Sequence, residues 1–436
     1  MDRPDRAYTQ LAVSVRQVPE WNRDKIVLAY RRVRATTDRL TDPLDVEDYV
    51  IQSMDDVSPT KWHLGHTTWF FETFILAKLI DSYQFCDSQY SYIFNSYYEA
   101  LGPRHPRPKR GLLSRPTVSA VRAYRRQVDE QMQELIETAD ESTWGQLSDL
   151  IVLGLNHEQQ HQELLLMDIK HVFANNPLRP AYCDALAPVA HELPALHWVS
   201  YPENVCEIGH QGSGFCFDNE TPRHKTWVHE FELADRLISN AEYLEFIDAG
   251  GYKRAEFWLS DGWHTVQDQG WSCPLYWDNS EGRWWQMSLA GMRELVLNEP
   301  VTHVSYYEAD AFARWRGCRL PGEFEWECAA QGLPLAGNFV ENAIYHPVAD
   351  QKSDSAPRQM FGDVWEWTQS AYSPYPGYRP ALGAIGEYNG KFMCNQMVLR
   401  GGACVTPADH ISASYRNFFY PHHRWQFAGI RLARDV

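Results

Sequence analysis

The segment "WGQLSDLIVLGLNHEQQHQELLLMDIKHVF", residues 144–173, decides how the first half of the chain is read. Apolar residues recur along it at helical spacing, without a proline to interrupt them, which predicts one long helix. Within it His157 and His161 stand four apart, and residues at that spacing are neighbours on one helix face. The pair is either the polar face of an ordinary helix or two ligands of one metal ion. HExxH also matches the zinc-peptidase pattern, in which the glutamate is a general base. A third downstream ligand at the spacing of such peptidases is missing here, and the helical pattern runs on.

Three further segments share that periodicity: "DKIVLAYRRVRATTDRL" (24–40), "HTTWFFETFILAKLI" (66–80) and "SAVRAYRRQVDEQMQELIETA" (119–139). Four such segments predict a four-helix bundle. Start signals agree, with Ser58 and Pro59 ahead of one helix and Pro116 or Thr117 ahead of another. The stretch "ANNPLRPAYCDALAPVAHELPALHW" (174–198) is rich in proline and alanine, lacks a period, and reads as an interdomain connection. Beyond it the texture changes to Gly, Trp, Asn and Pro. Short strand-like runs such as "KTWVHEFELA" and "MVLRGGAC" are interrupted by a helix at "SYYEADAFARWRG" and a shorter one at "GEFEWECAAQG". The expectation is an α+β chain of two domains: a bundle over 1–178, a linker over 179–195, and an irregular, loop-rich domain over 196–436.

Composition limits the function classes. The chain has 436 residues, enough for two sizeable cores, and a formal net charge of −17, which opposes nucleic-acid or anionic-membrane binding. Its one basic cluster, Arg104 to Arg115, is local. No apolar run reaches the ~18 residues of a membrane span, and "MDRPDRAYTQ" has no apolar signal core, so a cytoplasmic location is expected. The nine cysteines are scattered without a CxxC pair, which argues against a disulfide framework or thiolate zinc site.

A third metal ligand must come from another helix. "SPTKWHLGHTTWFFE" (58–72) offers His63 and His66. His66 shares a helix face with Trp62 and follows Gly65, whose small size would let a metal or substrate approach. His63 lies about 60° away around the helix, so one of the two is expected to point inward, and His66 is preferred. Three imidazoles without a thiolate suit Fe(II), Zn or Cu. Glu163 falls on another part of the helix and reads as a supporting or surface group.

These residues carry a resemblance. "WHLGH", "NHEQQHQE" and most of the second half resemble the sulfoxide synthases of ergothioneine biosynthesis. Those are non-haem iron enzymes that join a DinB-like four-helix bundle to a formylglycine-generating-enzyme-like domain of C-type-lectin type. The resemblance spans nearly the whole chain. In the second half it rests on "FCFDNETPRH" (215–224), "PVTHVSYYEADAFARWRGCRLPGEFEWECAA" (300–330), "GDVWEWTQS" (362–370), "RGGAC" (400–404) and "GIRLARDV" (429–436). These phrases identify a scaffold, not a chemistry. The cysteine pair that holds copper in the formylglycine-generating enzymes has no match.

The resemblance implies Fe(II) on His66, His157 and His161. It implies as substrates hercynine (N-α-trimethylhistidine), a thiol and dioxygen. The reaction would form a C–S bond at the imidazole C2 and oxidise the sulfur. A neutral three-histidine set leaves the ion's charge available to an anionic thiolate. An acid must also supply a proton, and the resemblance points to Tyr97 and Tyr98 in "NSYYEALGPRHPRPKRGLLSRP", with Tyr378 in "PYPGY" as the competitor. It assigns Asn417 and Phe418 in "SYRNFFYPHHRWQFAGIRLA" to the betaine end, since an amide can bond the carboxylate and an aromatic face attracts a quaternary cation. Gln160 is a further substrate contact, and Arg104 and Arg107 are candidates for a substrate carboxylate. Family members that use γ-glutamylcysteine carry an acid and an arginine where Phe419 and His423 stand here, which implies free cysteine as the sulfur donor. Three rivals remain: a relative joining a selenosugar to hercynine, a non-catalytic binding module on the same scaffold, and a zinc-dependent thiol transferase. Oligomeric state is left open.

Overall fold

The computed structural model describes residues 21–184, 194–212, 214–349, 357–381 and 384–436. The middle of the expected linker, 185–193, lies outside the described residues, as does the N-terminal stretch 1–20. The chain divides into two compact units. The first comprises Met1–His161 with Gly209–Pro222 and Pro374–Met393, and the second holds Gln162–Ile208, Arg223–Ser373 and Cys394–Val436.

Four helices dominate the first unit. They are α1 (Arg23–Thr41), α2 (Thr60–Phe71), α3 (Val118–Thr138) and α4, whose full span is Glu141–Asn175. Local chemistry sets their starts. Asn22 caps α1 by accepting from the Lys25 amide, and Thr117 caps α3 by accepting from Ala120. Pro59 stands at the head of α2 without a side-chain cap. α2 continues through a π-helical turn, Glu72–Leu76, to Leu79. The apolar stripes, with Ile26, Tyr30 and Val33 of α1, Phe70 and Phe71 of α2, Val121 and Val128 of α3 and Ile151 of α4, are buried together.

One buried polar cluster ties the four helices. Glu158 of α4 accepts from Arg34 Nη1 (2.8 Å), Arg125 Nη2 (2.7 Å) and Thr37 Oγ1 (2.6 Å). Arg34 also bonds Asp129 of α3 and Thr68 of α2. Burial raises the Glu158 pKa, but Arg125 and Arg34 outweigh it and pull it down to about 2. The carboxylate is therefore ionised and paired, as a buried charge must be.

The second unit is built of short sheets. A four-stranded sheet orders the strands Asn417–Phe419, Met397–Arg400, Trp365–Ala371 and Ala428–Gly429, antiparallel except for the last pair. A three-stranded sheet joins Trp198–Tyr201, Phe231–Ala234 and Ala433–Asp435. The predicted helices are present as Tyr306–Trp315 and Glu323–Ala330. Trp326, Trp365 and Trp367 are buried in its core, where Glu366 accepts from Trp326 Nε1 and Arg431. The two-domain α+β architecture expected from the sequence is the observed one. Among the described residues, no helix is long and apolar enough to cross a membrane.

Candidate metal centre

His157 and His161 project from one face of α4, and His66 from α2. One ring nitrogen of each lies within 4.8 Å of one of each other ring. His66 Nε2 and His157 Nε2 are 3.1 Å apart. Two nitrogens bound at roughly 2.1 Å to one ion, at about a right angle, stand about that far apart.

The sequence around His66 fixes its ring. Trp62, four residues before it, stacks on it with centroids 4.6 Å apart and planes 11° from parallel. Trp69, three residues after it, stacks on it at 5.5 Å and 21°. His66 Nδ1 lies 2.6 Å from the Phe94 carbonyl oxygen. A carbonyl only accepts, so Nδ1 carries the proton and Nε2 keeps its lone pair for a metal. Phe70 packs on His157 at 4.7 Å.

Electrostatics favour neutral rings. Burial, and then its neighbour His157, hold His66 well below the usual histidine pKa, against the bond to Phe94. Burial brings His157 down to about 4. Burial and then His66 and His157 lower His161. All three are unprotonated at neutral pH and able to ligate. Among the described residues, this is the one cluster of three or more histidine, cysteine or acidic side chains arranged to hold a metal. The donor set, three neutral imidazoles with no thiolate or carboxylate, fits a borderline ion such as Fe(II).

Two expectations need correction. His63 was to point away when His66 pointed inward, yet His63 is buried too, with its Nδ1 2.8 Å from His161 Nδ1. Residues three apart share a helix face, and both rings fit it. Gly65 was to leave room for a metal or substrate. Its open side is instead filled by the Phe94 ring, which a Cβ there would overlap.

The tyrosines divide. Tyr98 is buried against Trp69 and Phe74 and lines a cavity that His157 and Gln160 also line. Burial pushes its hydroxyl pKa up, with Tyr97 and Glu387 adding to it, so it stays protonated. Tyr97 packs against Tyr388 and Phe392 and accepts from Arg107 Nη1 at 3.4 Å. Burial raises its pKa, but Arg107 and Arg110 overcome that and lower it. Arg107 also bonds the Asp56 carbonyl, and Arg104 pairs with Glu99. Tyr378 donates to Asp218 at 3.0 Å.

Asn417, Phe418 and Phe419 lie on a strand of the second unit. The Asn417 side chain accepts from the Phe418 amide, Phe418 stacks on Tyr372 at 4.2 Å, and Phe419 packs on Trp425. Of the two readings left open for Glu163, a supporting or a surface group, its burial removes the second. In the second unit it is buried and accepts from Trp365 Nε1 (2.7 Å) and Thr406 Oγ1 (2.5 Å). Burial raises its pKa to about 7, against those two bonds.

Sequence reasoning passed over Arg110. It is buried, bonds Ser58 and Ser96, and sets its guanidinium 3.3 Å from the centroid of the Trp62 ring that stacks on His66. Its place in the basic run "PRPKRG" hid it, because a run of charges reads as a solvated loop.

Residues 29–165 match the DinB superfamily, and residues 199–357 and 342–436 match the sulfatase-modifying factor enzyme 1-like domain. The chain is 31% identical over 309 residues to the hercynine oxygenase of Mycobacterium tuberculosis, covering 66% of this chain and 72% of the relative. It is 30% identical over 367 residues to that of Mycolicibacterium smegmatis, covering 78% and 83%. It is 26% identical to the ergothioneine biosynthesis protein 1 of Schizosaccharomyces pombe, covering 66% of this chain and 40% of that one. On these likenesses and on its pairing of a DinB-type bundle with a sulfatase-modifying-factor-type domain, the chain belongs to the hercynine oxygenase family of oxygen-dependent oxidoreductases.

Proposed function

We propose that the chain is an iron(II)-dependent sulfoxide synthase of ergothioneine biosynthesis that joins cysteine to C2 of the hercynine imidazole. The balance is simple. The C2–H and S–H bonds are lost, a C–S bond forms, one atom of dioxygen oxidises the sulfur, and the other leaves as water.

The observation that carries this reading is the cluster of His66, His157 and His161, with rings held by packing and kept neutral by burial. Bound to these three nitrogens, Fe(II) would supply the activation of dioxygen and a common anchor for thiolate and imidazole. The protein's own residues do the rest. The Trp62 and Trp69 rings and the Phe94 carbonyl hold His66 in one orientation and one tautomer. Tyr98, protonated and lining the same cavity as His157, is the proton donor in this reading. Tyr97, already engaged by Arg107, positions that loop. Cysteine as the donor rests on the sequence, where Phe419 and His423 replace the acid and arginine of γ-glutamylcysteine users.

The reading is tested by His161→Ala. The variant should lose most bound iron and all hercynine- and thiol-dependent oxygen uptake while keeping its helical circular dichroism. Oxygen uptake equal to that of the unaltered protein would refute the ligand assignment.

A further inference from the structure

A cavity of about 390 Å³ lies within the first unit. One wall is a face of α4 that includes Asp149 and His157. At about 1.5 Å of rise per residue, these two are roughly 12 Å apart along the axis. The other walls bring Phe70 from α2, Phe217 and Asp218 from Gly209–Pro222, and Tyr388 from Pro374–Met393.

The lining has a definite electrical character. It holds two carboxylates, and no lysine or arginine among the described residues. Asp149 is half-buried and has no hydrogen-bond or ion-pair partner among the described residues. Asp218 accepts from neutral donors, Tyr378 Oη at 3.0 Å, Asn389 Nδ2 at 2.6 Å and the Asn219 backbone N–H, and from no cation among the described residues. Burial pushes the pKa of both carboxyls up, the mark of negative charge without a compensating cation. Between them stand aromatic faces. At the His157 end, the buried Nδ1 of that ring has no hydrogen-bond partner among the described residues. The two carboxylates favour a cation over a neutral or anionic ligand, and the aromatic faces between them would hold one that has no hydrogen to donate, a quaternary ammonium.

We propose that this cavity is the approach by which a quaternary-ammonium substrate reaches the histidine cluster, with Asp149 and Asp218 drawing the cation in and Phe217 and Tyr388 offering π-faces along the way. The identity of that substrate as a trimethylated histidine rests on the function proposed above. The steering does not, and it can be tested separately.

Asp149 has no partner to lose, so Asp149→Asn and Asp149→Lys should fold normally, and Asp218→Asn is the second probe. In the iron-loaded enzyme, kcat/KM for hercynine should fall about tenfold in Asp149→Asn and further in Asp149→Lys. The kcat at saturating hercynine and the KM for the thiol should hold. Raising salt from about 20 to about 300 mM should lower kcat/KM in the unaltered enzyme and leave Asp149→Lys almost unaffected. Unchanged kcat/KM and an unchanged salt slope in Asp149→Lys would overturn the proposal. Calorimetry of the full chain with choline and with 3,3-dimethylbutan-1-ol, its neutral isostere, needs no turnover. Choline should bind several-fold tighter, and Asp149→Lys should erase the difference. Equal affinity for the two, or no binding of either, would overturn the proposal even if sulfoxide is formed. A choline preference in a protein that makes no sulfoxide would keep the cation approach and sink only the proposed reaction.

Discussion

His66 Nδ1 rests 2.6 Å from the carbonyl oxygen of Phe94, and the Phe94 ring occupies the space a side chain would need at Gly65. One residue thus fixes both the tautomer of a candidate ligand and the requirement for glycine beside it. Gly65→Ala should displace Phe94, loosen that bond and weaken iron binding by about 10- to 100-fold. The bundle should stay folded. Iron affinity measured by chelator competition checks this, and an unchanged affinity would mean that the carbonyl does not orient the ring.

The two tyrosines should separate kinetically. Tyr98→Phe should keep its iron but lose roughly 10²- to 10⁴-fold in sulfoxide formation, the usual worth of a positioned acid. Oxygen would then be diverted to oxidising the thiol alone. Tyr97→Phe should cost far less, because Tyr97 packs on Tyr388 and Phe392 and does not line the cavity that Tyr98 and His157 share. Measuring sulfoxide and thiol oxidation products side by side gives the answer. The reverse order would make Tyr97 the donor.

Glu158 neighbours a candidate ligand in sequence, yet its work is structural. Its carboxylate satisfies two buried guanidiniums, so Glu158→Ala should destabilise the first unit by about 3–5 kcal/mol. Chemical denaturation reads this directly. A loss below about 1 kcal/mol would show that Arg34 and Arg125 find other partners.

Lys170 gives a pH signature in the second unit. Its ammonium group is buried against the Tyr276 and Phe427 rings, with Nζ 2.7 Å from His303 Nε2, and burial lowers its pKa to about 7. In the unfolded chain a lysine titrates near about 10.4. Between those values the unfolded state binds the extra proton, so this lysine makes stability rise with pH across that window. Relative to Lys170→Met, the unfolding free energy of the unaltered protein should therefore rise by roughly 1 kcal/mol per pH unit between about pH 7.5 and about pH 9.5. Parallel stability curves would show that Lys170 keeps an ordinary pKa.

The helices and the histidine spacing were readable because both are local. A period of 3.6 residues and an i, i+4 pair are written in consecutive positions, so His157 and His161 could be paired before any fold was known. Trp62 beside His66 was legible for the same reason. What failed depended on distant contacts. Gly65 looks like an opening, but Phe94, from a separate stretch of chain, fills it. Glu163 reads as either a supporting or a surface group because periodicity cannot reveal that a helix is covered on several sides, here by Trp365 and Thr406. Asp149, Asp218 and Tyr388 share a cavity although they come from three separate stretches of chain. Phe217 and Asp218 were noticed only as part of a scaffold phrase.

Whether the three-histidine site joins cysteine to hercynine is read from the mass of the product. Iron(II)-loaded protein would receive hercynine and oxygen, with cysteine, γ-glutamylcysteine or a selenosugar in parallel. The expected mass is that of hercynylcysteine sulfoxide, formed only with cysteine and only with iron. No adduct in any of the three reactions, from protein shown to hold iron, would contradict the proposed reaction.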